Sequence, residues 1–210
     1  MERWIAVAFV FAGFLRVAGA QTTLTIRIYN PAHLRLDALA KAQDEASYIL
    51  GSAGVRTTWV TCISPGKCPK PATVWDVVVR LAPDSVFPEK DTTHPWILGR
   101  SVAGDGKSAD YIEVYRAPIQ KLVSQTKIAS TDEVIGAVIA HEVGHLFLGS
   151  RHSRSGLMAA CWGPQELELL VRCRLKFDQF EKVKVKRQFG LYQALQQQEA
   201  GVFARNQAAW

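Results

Sequence analysis

The stretch "VIAHEVGHLFLGSRHSRSGLM" occupies residues 138–158 and contains three of the five histidines in the 210-residue chain. His141 and His145 are four positions apart, so on a helix they lie on one side, one turn apart. The residues of 132–148 are apolar almost all round, which predicts a buried helix. Two imidazoles buried on such a helix need a polar partner, and a metal ion supplies one. The pattern therefore predicts a metal site on a buried helix.

Glu142 and His152 complete the predicted site. A carboxylate next to the first histidine can reach a metal-bound water without being a ligand itself, which suits a general base. Catalytic zinc commonly takes three protein ligands and leaves the fourth position for water. Gly149 can end the helix and turn the chain back. We therefore predict Zn²⁺ held by His141, His145 and His152, with Glu142 as the catalytic base.

Two alternatives concern the third ligand. Glu166 or Glu168, on a helix predicted to begin at Pro164, could take the place of His152, although acidic residues are also favoured in a helix's first turn by its dipole. His152 is flanked closely by arginines, and it could simply lie on a surface turn.

The same stretch resembles the metzincin superfamily of zinc peptidases, whose signature is H-E-x-x-H-x-x-G-x-x-H followed by a methionine-containing turn. The residues that carry the resemblance are His141, Glu142, His145, Gly149, His152 and Met158. It implies a zinc peptidase over about residues 22–175, with Met158 as a hydrophobic floor beneath the zinc. Three residues separate His145 from Gly149 where the signature has two. This departure indicates a divergent, bacterial type of metzincin-like protein.

The predicted elements give an α+β fold. It has a mixed twisted sheet with a helix packed on it, a central zinc-binding helix, and a mainly helical C-terminal part over about 164–210. This order is similar to that of the metzincin catalytic domain. Strands are predicted at 23–30, 55–62, 75–82, 97–104 and 110–117, and helices at 33–50, 118–125, 132–148, 164–174 and from Asp178 onward.

The segment "ILGRSVAG" (97–104) is the predicted edge strand. The turn at 104–106, Gly-Asp-Gly, favours a hairpin with the strand that follows. The metzincin resemblance implies that an extended substrate is held against such an edge.

The first twenty residues, "MERWIAVAFVFAGFLRVAGA", predict a secretory signal. A basic residue near the start precedes an apolar run over 4–15, and Ala18 and Ala20 have the spacing of a cleavage site. Cleavage after Ala20 leaves 21–210 as a single catalytic domain that is secreted or periplasmic. A retained N-terminal anchor is the alternative.

The four cysteines fall into two close couples, Cys62 with Cys68 and Cys161 with Cys173. Disulfides persist in exported proteins, so we expect two local bridges. Pairing across the couples is a further possibility. A cysteine zinc site would need tighter C-x-x-C spacing than either couple shows.

The formal charge is +6, and loss of one acidic and two basic residues with the signal makes it +5. The basic run "KVKVKRQ" (182–188) predicts a solvated helix face, and no nucleic-acid-binding module accompanies it. We therefore expect no nucleic-acid partner and, after signal cleavage, no membrane partner. The sequence does not set the oligomeric state.

These features together predict a secreted zinc-dependent endopeptidase that acts on a peptide or protein substrate, with Glu142 activating water. The alternative is a secreted zinc-binding protein with a structural or other non-peptidase role. A purely structural site has no use for a base beside its ligand, which favours the enzyme. A zinc hydrolase of non-peptide amides is also compatible with the same residues.

Overall fold

The computed structural model of the protein describes residues 23–63, 67–69, 72–86 and 97–207. The predicted signal segment 1–20 lies outside these residues. In chain order the elements are β1 (Leu24–Tyr29), α1 (Leu36–Gly51), β2 (Thr57–Cys62), β3 (Asp76–Ala82), β4 (Gly99–Val102), β5 (Asp110–Tyr115), α2 (Arg116–Thr126), α3 (Thr131–Leu148), α4 (Pro164–Val171) and α5 (Gln179–Gln207). Over the described ranges, no helix is both long enough and apolar enough to cross a membrane.

The five strands form one mixed sheet in the order β2-β1-β3-β5-β4. Neighbouring strands are parallel from β2 to β5, and β4 pairs antiparallel with β5. The predicted α+β class, the hairpin and the edge position of β4 are therefore confirmed. The predicted boundaries differ by a few residues, most visibly where α2 begins at Arg116 directly after β5.

Alternate residues of the central strands bury one face of the sheet. Ile26, Ile28, Val79, Ile112 and Val114 are completely buried and belong to the same core as the apolar residues of α1 and α3. This face follows from the period of two in the strand sequences. Helix α3 packs on this face of the sheet and contacts β4 and β5, the strands that border the site described below.

Helix α3 is buried on every side over most of its length, as its sequence predicts. All residues from Val134 to Gly144 are buried. A capping box fixes its start, since Ser130 Oγ accepts from the Glu133 N–H at 3.3 Å and the Glu133 carboxylate accepts from the Ser130 N–H at 2.8 Å. Gly136 lets α1 approach closely, because a Cβ there would lie 2.5 Å from the Ala42 carbonyl oxygen. The helix that carries the histidines is thus held rigidly in the core.

Helix α5 begins at Gln179, one residue after the predicted start, and Asp178 caps it in a capping box with Glu181. The Glu181 carboxylate accepts from the Asp178 N–H at 2.7 Å, and the Asp178 carboxylate accepts from the Glu181 N–H at 2.8 Å. The helix packs against α3 through Phe189, whose ring lies 6.0 Å from that of Phe147. Farther along, Tyr192 contacts Trp75 edge-on. The C-terminal part is therefore one long helix fastened to the domain, preceded by the short α4.

One of the two expected disulfides is confirmed and the other is not formed. Cys62 and Cys68 are bridged, with their Cα atoms 4.6 Å apart. Cys161 and Cys173 are free thiols, both exposed, so the expected second bridge is wrong. They lie beyond opposite ends of α4, which rises about 12 Å over its eight residues. A disulfide needs Cα atoms within about 7 Å, so closeness in sequence was a poor guide here.

Thiol labelling tests this assignment. Under native, non-reducing conditions a maleimide should modify two cysteines, because Cys161 and Cys173 are exposed thiols. Reduction and unfolding should raise the number to four, as measured by intact mass. If the non-reduced protein takes up no label, the second bridge exists and the structural assignment is incorrect.

Candidate metal centre and catalytic cleft

Three imidazoles converge at the C-terminal end of α3. His145 Nε2 lies 3.0 Å from His141 Nε2 and 3.2 Å from His152 Nε2. One nitrogen of each of the three rings falls within 4.8 Å of the others, a separation that suits ligands of a single ion. His141 is buried, His145 is half-buried and His152 is exposed, so the cluster opens toward solvent on one side.

The backbone fixes which nitrogen of each helical imidazole faces the cluster. His141 Nδ1 lies 2.7 Å from the Leu157 carbonyl oxygen, and His145 Nδ1 lies 2.9 Å from that of Gly149. A carbonyl oxygen only accepts, so each Nδ1 carries a proton and donates it. In a neutral ring the Nε2 atom then carries the lone pair, and the lone pairs of His141 and His145 point at each other. Two lone pairs cannot bond to each other, whereas a cation between them would accept both.

Burial keeps His141 in the neutral form that can bind a metal. It lowers the pKa of His141 to about 3, with a smaller lowering from His145 and His152, while the bond to the Leu157 carbonyl acts in the opposite direction. The ring is therefore neutral around pH 7, with its one proton on Nδ1. The donor set of three neutral imidazoles is one that Zn²⁺ prefers, and the residues fit the predicted metal.

The loop over 149–158 brings His152 to the other two histidines. Gly149 ends α3 with φ of 83°, a value that favours glycine, and its N–H donates to the His145 carbonyl at 2.9 Å. Farther on, the Ser153 N–H donates to the Met158 carbonyl at 2.8 Å. The extra residue before Gly149 extends the helix to Leu148, and the loop still returns His152 to the cluster.

Met158 lies under the histidine-bearing turn of α3. It is buried, and a Cβ on Gly144 would lie 2.7 Å from its Sδ and 2.8 Å from the ring of Phe177. Only glycine at position 144 leaves room for this packing. Met158 was predicted from the sequence and Gly144 was not, although a glycine inside a buried helix often marks a close approach.

The Leu157 carbonyl is shared between the metal centre and an aromatic wall. It accepts from Trp162 Nε1 at 3.2 Å as well as from His141. The Trp162 ring also meets the His141 imidazole edge-on, with centroids 5.8 Å apart. These contacts hold the His141 ring in one orientation, and no side-chain pattern in the sequence identifies a backbone carbonyl in this role.

Glu142 faces the cleft from beneath strand β4. Its carboxyl group is buried, and burial raises its pKa to about 7, while a hydrogen bond from Ser101 acts to lower it. A group with this pKa can accept and release a proton near neutrality, as a general base must. A Cβ at position 99 would lie 2.8 Å from Glu142 Oε1, so Gly99 makes the close approach of β4 possible. Both residues lie in the predicted edge strand 97–104, but nothing in the sequence predicts that Gly99 and Ser101 contact Glu142.

A cleft of about 530 Å³ contains these groups. Strand β4 and the residues beside it form one wall, α3 forms the floor, and the loops around His152 and Trp162 form the opposite wall. Its lining residues are Ile97, Leu98, Gly99, Arg100, Ser101, Ala103, Val138, His141, Glu142, His145, Leu146, Gly149, Ser150, His152, Ala159, Ala160 and Trp162.

The two glutamates considered as alternative third ligands are engaged elsewhere. Glu166 is buried, and its carboxylate accepts from the Gly163 N–H at 3.1 Å, at the start of its own helix. Glu168 pairs with Arg172 at 3.8 Å on the exposed side of α4. Neither belongs to the group of residues that could share an ion, whereas His152 does.

The first turn of α5 braces the loop that carries His152. Ser153 Oγ donates to the Glu181 carboxylate, and Lys184 Nζ donates to the Leu148 carbonyl at 2.9 Å. These contacts reach both the end of α3 and the residue after His152. The C-terminal helix therefore positions the least buried of the three histidines.

Comparison with known proteins gives little to place beside this geometry. No protein-family model matches the chain, and no curated protein matches it. Among solved structures, the crystal structure of archaemetzincin from Methanopyrus kandleri aligns with 83% of this chain and 99% of its own. The identity is 12% and the TM-score is 0.46.

Because the Ser153–Glu181 hydrogen bond holds the loop of His152, we predict that Ser153 affects metal affinity without being a ligand. Ser153→Ala removes the hydroxyl that holds the loop to Glu181, and we expect zinc affinity to fall about tenfold, as for other groups that orient ligands. Competition with a chromophoric chelator measures the change. Glu199→Gln is the matched control, because Glu199 anchors α5 to Trp75 Nε1 at 2.9 Å, far along the helix. Equal zinc affinity in Ser153→Ala and the unsubstituted protein would show that the brace does not position His152.

Proposed function

We propose that the protein is a zinc-dependent endopeptidase of a divergent metzincin-like, bacterial type, exported through the segment 1–20. The observation that carries this proposal is the convergence of three imidazoles beside a buried carboxylate, at the bottom of an open cleft. The motif and the Met158 floor support the type, since both match the superfamily signature apart from the extra residue before Gly149. The Cys62–Cys68 bridge is compatible with export.

His141, His145 and His152 would hold Zn²⁺ through their Nε2 atoms. When bound there, the ion supplies a Lewis acid that acidifies water and polarises a carbonyl group. The chain supplies the remaining functions. The carbonyls of Leu157 and Gly149 hold two of the rings with their lone pairs turned inward, and the Ser153–Glu181 contact holds the loop of the third.

Glu142 acts as the general base and then as the general acid. Its carboxylate accepts a proton from the attacking water and returns it to the nitrogen that leaves when the peptide bond breaks. Ser101 donates a hydrogen bond to the carboxylate and so fixes its position on the cleft wall. Burial raises the pKa of Glu142 in the metal-free site, which makes its carboxylate a stronger proton acceptor than an exposed one.

Strand β4 offers a binding surface for an extended peptide. It is the last strand of the sheet, pairs with β5 on one side, and has no strand partner on the other side within the described residues. Its residues Gly99, Arg100 and Ser101 line the cleft. A substrate chain can therefore add to this edge through main-chain hydrogen bonds, which place its peptide bonds along Glu142 and the histidines. This arrangement favours peptide over other amide substrates.

Replacement of the base separates the enzyme from the alternative of a zinc-binding protein with a non-peptidase role. Glu142→Gln keeps the shape and removes the proton acceptor, so peptide hydrolysis should fall by roughly 10²–10⁴-fold while zinc stays at one per chain. Cleavage of a mixed peptide library followed by mass spectrometry, together with elemental analysis, measures both quantities.

The matched control is Glu168→Gln, which replaces an exposed glutamate on α4 and should change neither quantity. Full hydrolysis by Glu142→Gln would contradict the proposed mechanism. A zinc-loaded chain that cleaves no peptide in the library would favour the zinc-binding alternative.

A further inference from the structure

Helix α5 carries apolar side chains that face solvent. Phe180 is 85% exposed and Val183 is 64% exposed, and three more residues of the same helix are about half exposed. We call these residues the α5 outer stripe: Phe180, Val183, Leu191, Leu195 and Val202. At about 100° per residue, all five fall within a sector of about 120° around the helix axis. The buried residues Val185 and Phe189 lie on a different side, so the stripe is separate from the core.

Basic residues accompany the first half of the stripe. Arg187 lies four residues after Val183 and four before Leu191, so it stands on the stripe itself. Lys186 is exposed beside it. Within the described parts of the chain, neither Lys186 nor Arg187 has a carboxylate partner in an ion pair, unlike Arg172, which pairs with Glu168. Exposed apolar and basic groups thus share this side of α5, and no carboxylate of the described residues pairs with Lys186 or Arg187.

We propose that the α5 outer stripe docks the protein on an anionic membrane surface, with the helix lying in the plane of the headgroups. Phe180 and Val183 would enter the boundary of the acyl chains, while Lys186 and Arg187 extend along the apolar surface to the lipid phosphates. The positive charges of Lys186 and Arg187 are complementary to the negative charge of anionic lipid headgroups. This proposal differs from the sequence-based expectation of a solvated basic face at 182–188 and of no membrane partner after signal cleavage, which stays a prediction.

Charge also distinguishes lipid from a second copy of the chain as the occupant. Two copies joined through this stripe would each bring Lys186 and Arg187 to the interface, and the chain from Gln21 onward has a net charge of +5. Like charges across an interface disfavour association. An anionic lipid surface removes this repulsion and offers apolar contact as well.

The proposal does not depend on zinc binding or peptidase activity. It nevertheless has a spatial consequence, since Phe180 precedes Glu181, whose carboxylate accepts from Ser153 beside His152. The stripe therefore begins close to the loop of the metal centre, and docking would bring that loop near the membrane.

Vesicle flotation tests the proposal. The chain from Gln21 onward, which contains every described element but lacks the apolar run 4–15, is mixed with vesicles of phosphatidylcholine alone or with 30% phosphatidylserine. We expect binding to the anionic vesicles and not to the neutral ones. Phe180→Ser with Val183→Ser, and separately Lys186→Glu with Arg187→Glu, should each weaken binding at least about tenfold.

The control variant is Lys107→Glu with Lys127→Glu, which changes the net charge equally at two exposed positions outside α5. It should retain most of the binding, and circular dichroism checks that every variant is folded. Loss of binding in this control as large as in the α5 variants would show that net charge alone attracts the protein, and would overturn the proposal. Absence of binding to anionic vesicles at low salt, or a dimer in solution that the Phe180 and Val183 substitutions dissociate, would overturn it too.

Discussion

The candidate site depends on one electrostatic constraint. Two imidazole nitrogens with lone pairs, Nε2 of His141 and Nε2 of His145, face each other at the end of a buried helix. His141 and His145 each donate Nδ1–H to a backbone carbonyl, which turns both Nε2 atoms toward each other at 3.0 Å. Burial prevents His141 from relieving the contact by taking a proton, since it lowers the pKa of this ring to about 3. A cation bound between these nitrogens would satisfy both lone pairs, and His152 lies within reach of the same position.

The scaffold makes this constraint rigid. Helix α3 is buried from Val134 to Gly144, so His141 cannot turn away without disturbing the core. Glycines at three positions permit the close contacts that shape the site: Gly144 above Met158, Gly99 beside Glu142, and Gly136 against α1. Each of the three positions would meet another atom within 3 Å if it carried a Cβ. The C-terminal helix then extends this rigidity to the loop of His152, the part of the centre with the least burial of its own.

The sequence predicts those parts of the molecule that local periodicity determines. Spacing of four between His141 and His145 places them on one side of a helix. Alternation identifies β1 as a strand, and a β-branched run identifies β3. Ser130 and Asp178 are residue types that commonly cap helices, and they cap the starts of α3 and α5 in the structure. These features depend on residues close together in the sequence, so they can be predicted before the three-dimensional structure is known.

Contacts between distant segments are not visible in the sequence. The Leu157 carbonyl, Ser101 and Gly99 contribute to the site only because loops and β4 are folded against α3, and no residue type marks them. Cys161 and Cys173 show the opposite error, since a short separation in sequence suggested a bridge while α4 lies between them. The α5 outer stripe also needs the structure, because the sequence alone does not say which apolar residues of a long helix are left uncovered.

X-ray absorption at the zinc edge, on protein loaded with one equivalent of Zn²⁺, tests the central claim most directly. The spectrum should show three imidazole nitrogens at about 2.0–2.1 Å and a light atom in the remaining position, with no sulfur in the shell. Two imidazoles with a carboxylate, a sulfur scatterer at about 2.3 Å, or a chain that retains no zinc would contradict the assignment of His141, His145 and His152 as joint ligands.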